Sequence, residues 1–129
     1  MKLFSLEKAN ALIPVLLPLV EDLWSRRREL AIRLLENDPA LRAAGGRGPQ
    51  ATAQRRSDQR RVAEMKAEII GIITRIEGYG CLVKDVDLGL LDFPMLREGR
   101  PVFLCWKADE PSVAHWHRPD ESYVDRKPL

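Results

Sequence analysis

Apolar side chains recur at helical spacing over two stretches of the chain. In the first stretch they follow one another in steps of three and four residues, as one face of a helix requires. These positions include Leu16, Leu19, Val20, Leu23, Leu30 and Leu34. In the second stretch they repeat with the heptad spacing of a coiled coil. These positions are Val62, Met65, Ile69, Ile72 and Ile76. The pattern predicts two long amphipathic helices that pack against each other.

Prolines and a capping residue set the predicted bounds of the first helical part. Ser5 is suited to cap a short helix over residues 6–12, because its hydroxyl can accept a backbone N–H. Pro14 has no N–H for the carbonyl four residues before it, so a second helix is predicted to start at Pro14. That helix is expected to reach residue 36, with a mild bend at Pro18.

Residues 38–51 are rich in glycine and proline, which favour neither helix nor strand, and they predict a flexible loop. A further helix is predicted over residues 52–77, where Gly78 supplies the stop. The two long helices are expected to pair as an antiparallel hairpin over residues 5–79.

From residue 81 onward, glycine and proline recur at short intervals between apolar runs, which is typical of strands and turns. Residues 102–106 and 113–117 are predicted to form a β-hairpin, with residues 82–86 as a further strand. The predicted fold class is therefore α+β. A long antiparallel helical hairpin carries a small C-terminal β-hairpin unit, residues 81–129, within a single domain of 129 residues.

The helices carry more apolar residues than their mutual interface can cover. The additional ones are Leu17, Trp24, Ile32, Leu35, Ile70 and Ile73. The C-terminal part can cover some of them. A second copy of the chain can cover the rest, so a homo-oligomer is expected, with a dimer favoured.

Composition and charge limit the compartment and the partners that are expected for the protein. The net charge is +2, with basic residues in excess over residues 25–66 and acidic residues in excess over residues 81–129. The apolar run at residues 11–20 is too short to span a bilayer, so no membrane partner is expected. Cys81 and Cys105 lie far apart in apolar surroundings, which predicts free thiols in a reducing compartment. A cytoplasmic protein is the expectation.

Candidate chemistry is concentrated in the segment His115-Trp116-His117. Side chains alternate along a strand, so the two histidines share one face, which is a known geometry for metal ligands. If Cys105 lies opposite His115, then Cys105, His115 and His117 form a candidate Zn²⁺ site. A one-residue slip removes the cysteine from that face, and the pattern leaves the register open. Hydrogen-bonded or exposed histidines without a metal are the alternative interpretation.

Five residues of the C-terminal part form a second candidate site. They are Trp106, Glu110, Trp116, His117 and Arg126. Pairing of Arg126 with the carboxylate of Glu110, between indole rings, can build a small polar binding pocket. The same pairing can instead form a structural latch that holds the C-terminal tail on the hairpin, and this interpretation is favoured.

Three aspartates near the start of the C-terminal part are also candidates for a cation site. Asp85 and Asp87 share a predicted strand face, and Asp92 follows the next turn. Carboxylates in such an arrangement can bind Mg²⁺ or Mn²⁺. Solvated charges that keep strand edges from pairing are the favoured interpretation.

An arginine-rich patch is expected at the loop end of the helical hairpin, where both helices contribute basic residues. The candidate phosphate contacts are Arg26, Arg27, Arg55, Arg56 and Arg60. Such a patch can bind a nucleic-acid backbone. Acidic residues dilute it and no aromatic residues accompany it, so a solvated hairpin tip is favoured and no nucleic-acid partner is expected.

Two groups of motifs stand at the two ends of the chain. The first is residues 4–14, and the second comprises Val83-Lys84-Asp85, Gly89-Leu90-Leu91-Asp92-Phe93-Pro94, Gly99-Arg100, Leu104-Cys105-Trp106, Glu110, Trp116-His117 and Arg126. In combination they resemble the prokaryotic domain-of-unknown-function family 2203, over nearly the whole chain. The resemblance implies a single small cytoplasmic domain, and it implies no activity or cofactor. His115 stands where the pattern of that family has an aromatic residue.

The sequence contains no glycine-rich phosphate loop and no nucleophile elbow, and neither cysteine has a basic partner nearby in sequence. The leading hypothesis is therefore a non-catalytic binding or interaction module that self-associates through its helices. One alternative is a metal-binding protein or metal-dependent hydrolase that uses the C-terminal His/Cys/Glu cluster. A second alternative is a nucleic-acid binder that uses the arginine-rich hairpin tip.

Overall fold

Two long helices and a five-stranded antiparallel sheet make up the computed structural model, which describes residues 1–38 and 48–129. The helices are α1, Leu6–Glu36, and α2, Pro49–Glu77, and they pack together as a hairpin. The strands are β1 Leu82–Asp85, β2 Leu90–Arg97, β3 Arg100–Lys107, β4 His115–His117 and β5 Lys127–Pro128, in chain order across the sheet. The predicted α+β class is confirmed. No helix in the described part is long and apolar enough to cross a bilayer.

α1 is one continuous helix, so the predicted break before Pro14 is wrong. It begins where predicted, with the Ser5 hydroxyl accepting the Lys8 N–H at 3.1 Å. Pro14 and Pro18 both lie inside the helix, on its exposed side. Each proline leaves the carbonyl four residues before it without a helical partner, and burial of the opposite side holds the helix together.

α2 begins at Pro49, three residues before its predicted start at residue 52. Gly48 precedes the helix with a φ of 121°, and the proline takes the first helical position, where its missing N–H removes no helical bond. The predicted loop over residues 38–51 is therefore shorter than expected. Most of it, residues 39–47, lies outside the described residues.

The sheet is larger than the predicted β-hairpin unit. The predicted pairing of residues 102–106 with residues 113–117 is present as β3 and β4, whereas β2 and β5 have no predicted counterpart. Pro94 argues against a strand at β2, yet it is tolerated there. Its carbonyl accepts the Phe4 N–H at 2.7 Å on the side away from β3, so the missing proline N–H removes no bond between β2 and β3.

One face of the sheet packs against the helices and forms the core. Alternate residues of β2 and β3 point to this face, and Trp106 is the largest fully buried side chain. The core includes Leu91, Phe93, Leu104 and Trp106 from the sheet and Leu16, Val20, Leu23, Ile72 and Ile76 from the helices. The intervening residues of the strands therefore point to the opposite face of the sheet, where the candidate site lies.

The chain itself covers half of the surplus apolar residues on the helices. Leu17, Trp24 and Ile73 pack against the core. The other three, Ile32, Leu35 and Ile70, are 52%, 62% and 63% exposed. The excess of apolar surface predicted for the helices is thus present at these three positions.

Gly89 is expected to tolerate no side chain, because its backbone conformation and its surroundings both require glycine. Its φ is +64°, and a Cβ there would lie 2.7 Å from Cζ2 of Trp24 and 2.9 Å from Cβ of Ala108. We expect Gly89→Ala to lower the free energy of unfolding by about 2–4 kcal/mol. Gly99 has a φ of +76° in open space, so Gly99→Ala should lower it by only about 1 kcal/mol. Urea denaturation measures both, and equal losses would contradict this account.

Candidate metal centre

Asp92, Cys105 and the two histidines share the sheet face that points away from the helices. β2 pairs with β3 so that Asp92 lies opposite Cys105. β3 pairs with β4 so that Cys105 lies opposite His115, and Phe103 lies opposite His117. Since side chains alternate along each strand, this register places all four polar side chains on one face. The register that the sequence leaves open is thereby fixed.

Three of these side chains converge in the interior. Potential ligand atoms of Asp92, Cys105 and His117 all lie within 4.8 Å of one another. The three residues, here called the buried cluster, are only 2%, 1% and 5% exposed. Buried polar groups need partners, because leaving one unpaired costs about 1–3 kcal/mol. The members of the buried cluster must therefore satisfy one another or share a ligand.

Each ring nitrogen of His117 has a partner at hydrogen-bonding distance. Nδ1 lies 2.8 Å from the carbonyl oxygen of Arg118, and Nε2 lies 3.0 Å from Oδ2 of Asp92. A carbonyl oxygen only accepts, so Nδ1 must carry the hydrogen. Nε2 is then directed into the buried cluster, where it shares a proton with the carboxyl group of Asp92.

Burial raises the pKa of Asp92, although the neighbouring His117 and Lys84 oppose the shift. Lys84 reaches this face of the sheet, with its Nζ 5.3 Å from the ring centroid of Phe103. A carboxyl group that resists ionisation is consistent with a proton shared between Asp92 and Nε2 of His117.

Cys105 is a thiol in this environment. Burial raises its pKa to about 12, and the charge of Asp92 adds to the effect while Arg126 opposes it. A thiol is a weak nucleophile, and Nε2 of His117 is directed at Asp92 rather than at the sulfur. The arrangement is therefore unsuited to cysteine–histidine catalysis. A bound metal ion deprotonates a coordinating thiol outright, so the sulfur can still serve as a ligand.

Glu110 and Arg126 form an ion pair with two hydrogen bonds next to the buried cluster. Nη1 and Nη2 of Arg126 donate to the two carboxylate oxygens of Glu110 at 2.8 and 2.7 Å. Oε1 of Glu110 also accepts the Lys107 N–H at 2.8 Å. The backbone carbonyl of Glu110 accepts the indole N–H of Trp106 at 3.0 Å. The guanidinium group lies beside Cys105. These contacts join the end of the chain to the turn after β3, and we call the Glu110–Arg126 pair the latch.

Trp116 and His115 lie outside the buried cluster. Trp116 is on the helix-facing side of the sheet, and Arg97 and Lys127 lie 4.5 and 5.0 Å from its ring centroid. Nδ1 of His115 is 3.7 Å from Oε2 of Glu110, too long for a hydrogen bond. In the described part of the chain, Nδ1 of His115 is the one buried side-chain nitrogen or oxygen without a hydrogen-bond partner. The five residues of the predicted pocket thus lie on two faces of the sheet.

Asp92 is the member of the buried cluster that the spacing of histidine and cysteine does not predict. The signal that points to it is a carboxylate within the apolar run of residues 90–93, because a buried charge requires a partner. The other two aspartates of the predicted cation site have separate partners. Asp85 accepts a backbone N–H in its own turn, and Asp87 pairs with Arg27 at 3.1 Å.

The predicted phosphate-contact residues have different surroundings on the two helices. On α1, Arg26 and Arg27 are bound to carboxylates at 2.9 to 3.1 Å. On α2, Arg55 donates to a threonine hydroxyl, whereas Arg56 and Arg60 are exposed. Carboxylates therefore compensate the charge of the α1 arginines, although Arg27 is exposed like the three arginines on α2.

Acidification is expected to weaken the latch. Burial favours protonation of Glu110, but hydrogen bonds from Arg126 and from the Lys107 N–H outweigh it, so its pKa is lowered. Such a group stabilises the fold above its unfolded pKa of about 4.3, and that contribution is lost as the pH falls through the folded value. The difference in melting temperature between wild type and Glu110→Gln should therefore be largest at neutral pH and vanish in acid. Thermal melts across this range check it, and a constant difference would refute it.

The model of a family described as "Uncharacterized conserved protein (DUF2203)" matches residues 2–129. The match includes the buried cluster and the latch, and it confirms the resemblance of the terminal motifs. Comparison with curated proteins gives no match, and comparison with solved structures gives none either.

Proposed function

The chain belongs to the DUF2203 family, whose description assigns no activity, and we therefore propose a function from the geometry of the site. The protein is a non-catalytic module that binds one Zn²⁺ ion at the buried cluster. The observation that carries this proposal is the convergence of ligand atoms from Asp92, Cys105 and His117 within 4.8 Å in the protein interior.

The donor set of the buried cluster suits zinc. Thiolate sulfur, imidazole nitrogen and carboxylate oxygen are the three ligand types that Zn²⁺ takes in proteins. A thiolate disfavours Mg²⁺ and Ca²⁺, which prefer oxygen ligands. Ionised Asp92 and Cys105 would also balance the two positive charges of the ion, which removes the penalty of burying an uncompensated charge. Three protein ligands leave a fourth position for water or another donor.

The surroundings of His117 support the same assignment. A metal-bound histidine usually donates its other ring N–H to a carbonyl or a carboxylate, which fixes the tautomer and the ring orientation. Nδ1 of His117 donates to the carbonyl of Arg118 in this way, and Nε2 is directed inward. An ion would take the place of the proton between Nε2 and Asp92, so binding is expected to release protons.

Burial favours a structural ion over a hydrolytic one. A catalytic zinc site keeps a position open to the substrate. Three protein ligands are also the number found in catalytic sites, but the buried cluster is at most 5% exposed, so a substrate in solution does not reach the fourth position. The ion would instead tie together β2, β3 and β4, each of which supplies one ligand.

The proposal is tested by Zn²⁺ titration of protein purified without an affinity tag, in competition with a chelating dye. One ion per chain is expected, and Cys105→Ser and Asp92→Ala should each lower the affinity at least about 10-fold. His115→Ala serves as the matched control, because this imidazole lies on the same strand but outside the buried cluster, and it should leave the affinity unchanged. Absence of binding, or equal losses in all three variants, would reject the proposal.

A second candidate function is self-association through the helices, as a homodimer. The observation that favours it is the exposure of Ile32, Leu35 and Ile70, at 52%, 62% and 63%, on the two helices. A second copy of the chain can cover such side chains, and removing apolar surface from water is favourable.

Sedimentation velocity over a wide range of protein concentrations tests self-association. A dimer is expected for the wild type, and Ile70→Glu should shift it toward the monomer because a carboxylate is costly to bury. Glu64→Gln, an exposed change on the same helix, is the control. A wild type that stays monomeric at high concentration would rule this function out.

A further inference from the structure

A buried metal site raises the question of how an ion reaches it. The members of the buried cluster are 2%, 1% and 5% exposed, so part of the structure has to move before an ion can enter. The segments that open most easily are those with few buried apolar contacts. The residues around the buried cluster differ strongly in this respect.

The C-terminal segment, residues 118–129, is the least anchored part next to the buried cluster. None of its residues is buried, and its only strand, β5, has two residues. β2 and β3, by contrast, contribute fully buried side chains to the core. Opening of the C-terminal segment therefore exposes little apolar surface, whereas opening of β2 or β3 disrupts the core.

Many contacts of the C-terminal segment are internal, so it can move as a unit. Glu121 accepts hydrogen bonds from Arg118 N–H and from Nζ of Lys127, each at 2.8 Å. Ser122 and Asp125 cap the short 3₁₀ helix Tyr123–Asp125. These bonds survive when the segment swings away from the sheet, which lowers the free energy required to open it.

The contacts that hold the C-terminal segment to the rest of the protein lie at its two ends. At its end, the two hydrogen bonds of the latch fix Arg126 to Glu110, and Arg126 lies beside Cys105. At its start, the carbonyl of Arg118 accepts the Nδ1 hydrogen of His117. The short pairing of β4 with β5, the hydrogen bond from the Leu129 N–H to the Ala114 carbonyl at 2.9 Å, and the ammonium group of Lys127 over the Trp116 ring add to these contacts. Both ends of the segment thus touch members of the buried cluster.

We infer that the C-terminal segment is the gate of the buried cluster and that the latch controls its opening. The role of the gate rests on the proposed function, because a gate is useful only if a ligand has to enter the buried cluster. The gate itself is a property of the metal-free chain. Opening requires the latch to break, which exposes Cys105, Asp92 and His117 to solvent without unfolding the core.

Labelling of Cys105 by N-ethylmaleimide, resolved by peptide mass spectrometry on the full metal-free chain, measures gate opening. Charge-assisted hydrogen bonds are stronger than neutral ones, so Glu110→Gln should accelerate labelling of Cys105 about tenfold or more. Cys81 is an internal control, because it is fully buried and donates to the Ile76 carbonyl at 3.4 Å. Its labelling should stay unchanged.

Two further variants sharpen the result. Asp109→Asn removes an exposed ion pair with Lys107 in the same turn and should leave Cys105 as protected as in the wild type. Arg126→Gln breaks the latch from its other side and should reproduce the acceleration. The inference is overturned if neither latch variant accelerates Cys105 labelling, or if Cys81 accelerates equally, which would indicate global destabilisation.

Labelling of Cys105 in the presence of Zn²⁺ tests the gate and the metal site independently. Zn²⁺ should slow the labelling of Cys105 in the wild type, because a coordinated sulfur is no longer free to react. If Zn²⁺ has no effect while the latch variants still accelerate labelling, the gate stands and the proposed function fails. If Zn²⁺ protects Cys105 but the latch variants behave as the wild type, the proposed function stands and the gate is wrong.

Discussion

Trp106→Ala is expected to lower the free energy of unfolding by about 3–5 kcal/mol. Trp106 is fully buried and is the largest side chain in the core, so alanine leaves a large cavity between the sheet and the helices. The variant also loses the hydrogen bond from the indole N–H to the Glu110 carbonyl. Domains of this size are stabilised by about 5–15 kcal/mol in total, so a large share of the stability should be lost.

Urea denaturation followed by circular dichroism measures this loss. Trp116→Ala is the matched control, because Trp116 is half-buried on the same sheet and has two cationic side chains over its ring. Its loss should be clearly smaller, about 1–2 kcal/mol. Similar losses for the two tryptophans would show that Trp106 does not occupy the centre of the core.

His117→Ala is expected to lower the free energy of unfolding of the metal-free protein by about 3–5 kcal/mol. The buried carboxyl group of Asp92 loses its partner at 3.0 Å, and removal of the buried imidazole also leaves a cavity. His115→Ala removes the neighbouring imidazole, which has no hydrogen bond at Nδ1, and should cost much less.

A double-mutant cycle with Asp92→Ala tests whether the pair is the cause. If the two side chains satisfy each other, the double variant should lose less stability than the sum of the single variants, by about 1–3 kcal/mol. Strictly additive losses would mean that Asp92 and His117 are stabilised independently.

The helical hairpin could be predicted because much of its apolar spacing survives in the structure, although Leu34 of the predicted stripe is 47% exposed. Leu16, Val20 and Leu23 are buried on α1, and Ile69, Ile72 and Ile76 are buried on α2. The error at Pro14 has a physical cause. A proline interrupts a helix only if its surroundings cannot satisfy the freed carbonyl, and on an exposed side water can do so.

The buried cluster could be predicted only in part. Cys105 and His117 could be predicted to lie together, because alternation along a strand places them on one face once the register is known. The register depends on the conformation of the turn between β3 and β4, which a hydrophobic pattern does not encode. The position of Asp92 could not be predicted without β2, and Pro94 argues against a strand there. Only the hydrogen bond between the Pro94 carbonyl and Phe4 explains why the proline is tolerated. His115, by contrast, has the right spacing and lies outside the buried cluster.

Absorption spectroscopy during Co²⁺ titration of tag-free protein tests the central claim most directly, because Co²⁺ takes the ligands of zinc and reports thiolate coordination by an intense near-ultraviolet band. We predict saturation at one ion per chain, with that band present in the wild type and in His115→Ala and lost in Cys105→Ser. A spectrum that shows no thiolate band, or that Cys105→Ser leaves unchanged, would contradict a metal site built from Asp92, Cys105 and His117.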